Sequence, residues 1–482
     1  MTQINLGTEA LNLIHHDAFL INTRRNLFRV EQSTEGSLGG RFIQLPGHLL
    51  PINFILQHST MLSVLPLDIL IQIIDIIGEN KDTDLLKELA LVSHPFLQIC
   101  SKHLFATVEL HDAANDWTGH VASSKKGFIK LLKSRPDVVK HIRKLTYTVS
   151  YNYQSLPTYP SFVTSFVNDD RLLSPILPNF LRTISHLNCL TITASKLKWE
   201  TLDSSLTSAF LHLMHLPTIN HIELSSIQDF PLSSLTPSVN LRRLDIFYLI
   251  CDDTLEEDGS PEFVFQSEMM PKLREFHTSD SAVLTTKLLH AKRHDGRPAF
   301  NFMDLRRLSL SSSGLEDDRN IRYLLQNARL LEKLCLSVEP GQSLVGLHDI
   351  LSLSAHTLKV FDLTVSLYSV PSPAGLCEEL EAMAGHNMLE ALSFEFGVGG
   401  RETEDFIGSI IQKVWEVLIK PGWSALRQVS FKVTIACCLV SREDSAELSE
   451  ALQSLPDKYL SHLSKLELNY SAYVVKCAYD RD

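Results

Sequence analysis

"LRRLDI" occupies residues 241–246 and "LRRLSL" residues 305–310. Both place apolar residues at the first, fourth and sixth positions. The fourth and sixth are two apart, so in an extended chain they share one face, and the residue between them takes the other. The same L-x-x-L-x-L template, with apolar substitutions, recurs along the chain. Upstream it appears as "IRKLTY" (142–147), "LNCLTI" (187–192) and "INHIEL" (219–224). Between and beyond the two quoted copies lie "LREFHT" (273–278), "LEKLCL" (331–336), "LKVFDL" (358–363), "LEALSF" (389–394), "LRQVSF" (426–431) and "LSKLEL" (463–468). The copies are 22 to 45 residues apart. Helical patterns such as "DDRNIRYLLQNAR" (317–329) and "TEDFIGSIIQKVWEVLIK" (403–420) fill the gaps. One strand and one helix cannot bury their own apolar faces, whereas stacked copies bury them jointly. The expected fold is therefore α/β, an irregular solenoid of parallel strands plus helices over residues 111–482. A doubly wound sheet would want longer apolar strands and a glycine-rich first turn, and neither is present.

Equivalent positions in such an array stack into ladders about 4.8 Å apart. The third template position gives an outward column that is basic in mid-array, with Arg243, Arg307 and Lys333. The fifth position gives a mildly acidic column containing Asp245. Phe247, one outward step further, is the only aromatic in its column. Arg243, Asp245, Phe247, Arg307 and Lys333 are the candidate target-binding residues. Guanidinium groups suit an acidic or phosphorylated segment. The competing expectation is a solvated face whose bases pair with Asp245 and its neighbours.

Upstream of the array, "LPLDILIQIIDII" (65–77) is apolar almost all round. At about 100° per residue, Asp68, Gln72, Asp75 and Glu79 form one polar stripe and the rest of the surface is Leu or Ile. A surface helix needs an apolar stripe of roughly half that width. The segment is thus either wholly internal or shared between its own domain and a partner. A polar turn follows, then "DLLKELALVSHPFLQIC" (84–100), read as one helix broken near Pro95 or as two short ones. Asp84 is its expected N-cap, and Leu85, Leu86, Leu89, Val92 and Phe96 share a face. "SKHLFATVEL" (101–110) leads into an extended segment. Residues 1–60 carry no clean period and read as a weakly ordered extension, with a short helix expected near Glu9 to Ile21.

Residues 61–110 resemble an F-box, and the array looks like the leucine-rich repeats that often follow one. Leu65 and Pro66 stand at the family's Leu-Pro start, with Asp68 two places on. Ile69, Leu70, Ile73 and Ile74 take the hydrophobic places of the first helix, and Leu85 and Leu86 the paired places after the loop. "LVSHPF" (91–96) resembles the family's segment of a hydrophobic residue, Val, Cys or Ser, two variable or basic residues and an aromatic, and "KHLF" (102–105) is similar to the tail of many fungal members. Phe96 replaces the common Trp, and Pro95 stands where a base is usual. The resemblance implies docking on a Skp-family adaptor, and through it a cullin, by Leu65, Pro66, Ile69, Leu70, Ile73, Ile74, Leu85, Leu86, Leu89, Val92 and Phe96. The chain would then be a non-catalytic receptor that holds a target protein for a ubiquitin ligase. The alternative is a repeat scaffold whose F-box has decayed.

Bulk properties fit this reading. A net charge of −12 argues against nucleic acid or a membrane surface as the main partner. The eight cysteines include no C-x-x-C pair, which suits reduced thiols in the cytoplasm or nucleus. No hydrolase elbow, zincin or P-loop motif occurs, and no His/Cys spacing suggests a metal, so neither cofactor nor catalytic residue is expected.

Overall fold

The computed structural model describes residues 42–45, 48–51, 66–112, 122–149, 176–250, 270–279, 281–293, 295–312, 318–338, 344–367, 375–385, 387–399, 404–437, 442–460 and 466–476. The expected helix near Glu9 to Ile21, and Leu65, lie outside these residues. The chain divides into two compact units, Met1–Leu187 and Asn188–Asp482. The boundary falls well beyond residue 110.

The first unit contains a short hairpin, in which β1 (Phe42–Leu45) pairs antiparallel with β2 (His48–Pro51). Three helices follow: α1 (Leu67–Glu79), α2 (Thr83–Ala90) and α3 (His94–Leu104). Pro66 precedes the first turn of α1. The cap of α2 is Asp82, whose carboxylate accepts from the Leu85 amide at 3.1 Å, and not Asp84, which falls inside the first turn. Pro95 lies in the first turn of α3, where its missing N–H is no loss, so "SHPF" separates two helices. Leu70, Ile73, Ile74 and Ile77 of α1 are buried, as are Leu85, Leu86, Leu89, Phe96 and Cys100.

After α3 the chain enters β3 (Thr107–Asp112), which pairs in parallel with β4 (Lys144–Val149). α4 (Ala122–Ser134) lies between them, and α5 (Ile176–Leu181) follows. β3 is a copy of the template that sequence reading had only as an extended segment: "FATVEL" (105–110), with Phe at the first position. Phe105, Val108 and Leu110 are all buried.

The second unit is a ten-stranded, wholly parallel sheet in sequence order. Its strands are β5 (Cys189–Lys198), β6 (His221–Gln228), β7 (Arg243–Phe247), β8 (Glu275–Ser279), β9 (Arg307–Ser312), β10 (Lys333–Val338), β11 (Val360–Leu367), β12 (Ala391–Gly399), β13 (Gln428–Cys437) and β14 (Glu467–Lys476). Parallel neighbours need crossovers. The helices among them are α6 (Ser204–Met214), α7 (Ala282–His290), α8 (Asp318–Asn327), α9 (Leu347–Ser352), α10 (Leu376–Met383), α11 (Glu404–Leu418) and α12 (Arg442–Tyr459). This is the α/β, solenoid-like repeat that the template implies.

β5 to β13 each begin at the third residue of a template copy. Just before each strand from β5 to β12 the second residue's carbonyl accepts two amides from the next copy, whereas before β13 Arg427 O takes that of Glu467. Asn188 O takes the N–H groups of Asn220 and His221, and Glu390 O those of Arg427 and Gln428. The first-position residues, from Leu187 to Leu426, are buried beneath these turns. Fourth- and sixth-position side chains fill the interior, where Phe394 stacks on Phe431 at 5.5 Å and Trp415 meets Phe431 edge-on. "LREFHT" puts a polar residue there, and Thr278 satisfies its buried hydroxyl on Thr285 at 3.0 Å. The last copy departs from the expected frame. Glu467, not Lys465, stands opposite Gln428, a slip of two residues that leaves the faces unchanged. Tyr470 donates to the Leu452 carbonyl of α12 at 2.8 Å, tying the strand to its helix in that frame.

Candidate functional site

The outward face of β5 to β11 carries the polar residues that the template aligns. The third-position ladder runs Cys189, His221, Arg243, Glu275, Arg307, Lys333. The fifth-position ladder beside it runs Thr191, Glu223, Asp245, His277, Ser309, Cys335, Asp362. Two residues apart on one strand means the same face, so the two ladders interdigitate.

Asp245 is the centre of this face, yet its side chain is only 2% exposed. Longer neighbours fold over it. Arg243 Nε donates to both carboxylate oxygens at 3.1 and 3.0 Å, and its Nη2 lies 2.9 Å from Oδ2. His221 Nε2 is 2.8 Å from Oδ2, and His277 Nδ1 is 3.2 Å from Oδ1. Burial alone would raise the carboxyl of Asp245. The hydrogen bonds from His221 and Arg243 outweigh it and hold the group below the usual carboxylate range. Burial alone would likewise lower His221, but its bonds to Asp245 and Cys189 raise it to about 9. His277 moves the other way: burial lowers it, against the attraction of Asp245 and with the repulsion of Arg243.

At the far side of His221, its Nδ1 lies 3.1 Å from Cys189 Sγ. Cys189, His221 and Asp245, from three consecutive strands, thus form a continuous thiol–imidazole–carboxylate chain. Thr191 donates to Glu223 at 3.2 Å beside it. His221, Glu223 and Asp245 also bring one potential ligand atom each within 4.8 Å of one another. Those are metal-binding residue types. The Arg243 guanidinium already lies on Asp245, so a cation entering there would have to displace it.

Of the expected target-binding residues, Asp245 is therefore inaccessible. The three bases are paired across the ladders. Arg243 reaches Glu275 at 3.4 Å as well as Asp245, Arg307 reaches Glu275 at 3.5 Å, and Lys333 reaches Asp362 at 2.6 Å. Lys333 is raised by its bond to Asp362. The bases are thus cross-paired, as the expectation competing with an oxyanion clamp had it, but the carboxylate at the centre is buried and not solvated. Arg307 is the most exposed of the three, and Phe247 is half-buried. Among the described residues of its column, from Thr193 to Ser471, Phe247 is the sole aromatic.

The helical segment sorts the other set of candidates. Leu70, Ile73, Ile74, Leu85, Leu86, Leu89 and Phe96 are core residues, and they hold α1, α2 and α3 together without presenting a surface. Pro66, Ile69 and Val92 are exposed. So are Leu67, at 55%, and Leu91, at 51%, which were not among the expected docking residues. The polar side of α1 is used for attachment: Asp75 Oδ1 receives His103 Nε2 at 2.7 Å and Lys102 Nζ at 2.5 Å from α3. Burial would raise Asp75, and these two bonds lower it instead. Gly78 makes the approach possible, since a Cβ there would sit 2.2 Å from His103 Nδ1.

The chain is an α/β repeat protein. No model of a known family and no curated protein matches it. Among the described residues, no helix is long and apolar enough to cross a membrane.

Proposed function

We propose that this chain is the substrate receptor of a Skp-cullin-F-box type ubiquitin ligase, working in the cytoplasm or nucleus. The helical segment docks a Skp-family adaptor, and the repeat sheet holds a target protein. Ubiquitin transfer belongs to the partner subunits. The observation that supports this reading is the exposed apolar set Leu67, Ile69, Leu91 and Val92. It sits in the segment that resembles an F-box. Fully burying a Leu or Ile is worth about 1.5–3 kcal/mol, so four such side chains supply a useful part of a docking energy. On the sheet, Arg307 and Phe247 remain the accessible recognition elements.

Co-expression with a Skp-family adaptor followed by size-exclusion chromatography tests the reading. The informative variant is Leu67→Asp with Ile69→Asp, because both positions are exposed. Substitution at Ile73 would unfold the segment instead. Co-elution of the wild-type chain, lost in the variant with an unchanged melting curve, is the expected result. A wild-type chain that elutes alone, or a variant that still binds, overturns it and leaves a repeat scaffold.

A further inference from the structure

We propose that Cys189 is a nucleophilic thiol, activated by the His221–Asp245 pair, that adds to soft carbon electrophiles of the α,β-unsaturated carbonyl class. The proposal does not depend on adaptor or target binding. Its geometry is that of an activated cysteine: the sulfur is 3.1 Å from one ring nitrogen of His221, and the other nitrogen is 2.8 Å from a carboxylate. Asp245 cannot turn away to water. It is buried, and Arg243 and His277 fix it from the far side. The ring is therefore held in one orientation with Nδ1 aimed at the sulfur. With the imidazole protonated, both ring N–H groups donate, one to the carboxylate and one to Sγ. An N–H on Sγ stabilises the negative charge that the sulfur carries as it attacks. Cys189 is half-buried at the start of β5, so reagents reach it.

A second cysteine on the same face provides the contrast. Cys335 is also half-buried, but its neighbour is a carboxylate: Sγ donates to Asp362 Oδ2 at 3.3 Å. Burial and then the charge of Asp362 push that thiol up to about 12. The same template ladders thus carry one thiol beside an imidazole and one beside a carboxylate. Only the first is arranged to react.

In the addition, the Cys189 sulfur bonds to the β-carbon of the electrophile. The C=C pair shifts to the carbonyl as an enolate. The enolate's α-carbon then takes the proton that left the thiol and rested on His221, and nothing is oxidised or reduced.

The full chain is treated with limiting N-ethylmaleimide, quenched at intervals and mapped by peptide mass spectrometry, with N-acetylcysteine as the reference thiol. At about pH 6 a free thiol is almost wholly protonated, and Cys189 is expected to react about tenfold faster than the reference. Cys335 should react more slowly than the reference. In denaturing urea all the thiols should converge. His221→Gln, checked for folding by circular dichroism, should bring Cys189 to or below the reference rate. A wild-type Cys189 no faster than N-acetylcysteine overturns the proposal whatever the variant does, and so does a folded His221→Gln chain with an undiminished rate.

Discussion

Replacing Asp245 by Ala removes the one acceptor on which Arg243, His221 and His277 converge. Breaking a buried ion pair from one side costs about 3–5 kcal/mol, because the partner charge stays behind unpaired. Two features move the figure to the low end of that range. The Arg243 side chain is 38% exposed and retains Glu275, so it regains water and keeps part of its pairing. His277 is already biased to its neutral form and loses little. The expected cost is about 3 kcal/mol, most of it from His221, whose raised protonation depends first on this carboxylate. At roughly 2–4 °C per kcal/mol for a large domain, the midpoint should fall by about 6–12 °C. The assay is thermal denaturation of the full chain followed by circular dichroism, with Ser309→Ala as the control. Ser309 occupies the same ladder two strands along, and its loss should move the midpoint by no more than about 1 °C. Asp245→Asn should fall between, since it keeps the shape and one acceptor oxygen but not the charge. If Asp245→Ala melts with the control, the cluster is solvated surface and the reasoning fails.

The same cluster gives the stability a pH signature. His221 is raised from its ordinary 6.5 to about 9, so its contribution is complete below about 6.5 and is lost as pH rises through about 9. Asp245 is lowered, so its contribution is present above about 3.8 and disappears as pH falls through its folded value. Urea midpoints should therefore decline between neutral pH and pH 10 in the wild type, and decline less in His221→Gln. Equal declines would contradict the assignment. Gly78→Ala should cost about 1–3 kcal/mol by driving His103 off Asp75, and it should be strongly non-additive with His103→Ala in a double-mutant cycle. Additive effects would mean that the ring is not what the methyl strikes. Gly422 sits at φ +125°, and a Cβ there would lie 2.9 Å from Ala384 Cβ and from the Gly385 amide nitrogen. Gly422→Ala should lower the melting midpoint through strain that no side-chain movement relieves, by more than about 1 kcal/mol, and a neutral result would refute it.

The strand frame was legible because alternation is local: six residues suffice to fix which side chains face inward. Ten of the eleven copies start their strands where the template places them, from Lys144 to Gln428. The exception, "LSKLEL", offers a second apolar frame of the same parity two residues on, and it is in that frame that Tyr470 bonds to α12. "FATVEL" was overlooked as a copy because an aromatic opens it and it follows directly on a helix. The cap of α2 went to Asp84 in place of Asp82 because both stand near the same apolar run. Three residues from Asp82 to the amide of Leu85 is the reach a cap needs.

The candidate site was legible as a list of neighbours but not as a depth. Stacking the template copies puts His221, Arg243, Asp245 and His277 side by side, and pairing among them was one of two expectations. What the alignment cannot give is that Asp245 lies beneath the others. A short side chain flanked on its own strand and on both neighbouring strands by longer ones is roofed over by them, although its position faces outward. Arg243 is two residues before Asp245, on the same face, and its guanidinium folds forward onto the carboxylate. The exposed position thereby becomes a buried charge, and the nearest surface group with chemistry left to offer is one step further along the chain of hydrogen bonds, at Cys189. Cys189 stands in the same outward column, but one cysteine in a strand forms no motif by itself. Its distinguishing signal was positional: Cys, His and Arg occupy the third position of three consecutive copies, with Asp at the fifth position of the last. In a register-locked parallel sheet that order sets thiol, imidazole and carboxylate in line.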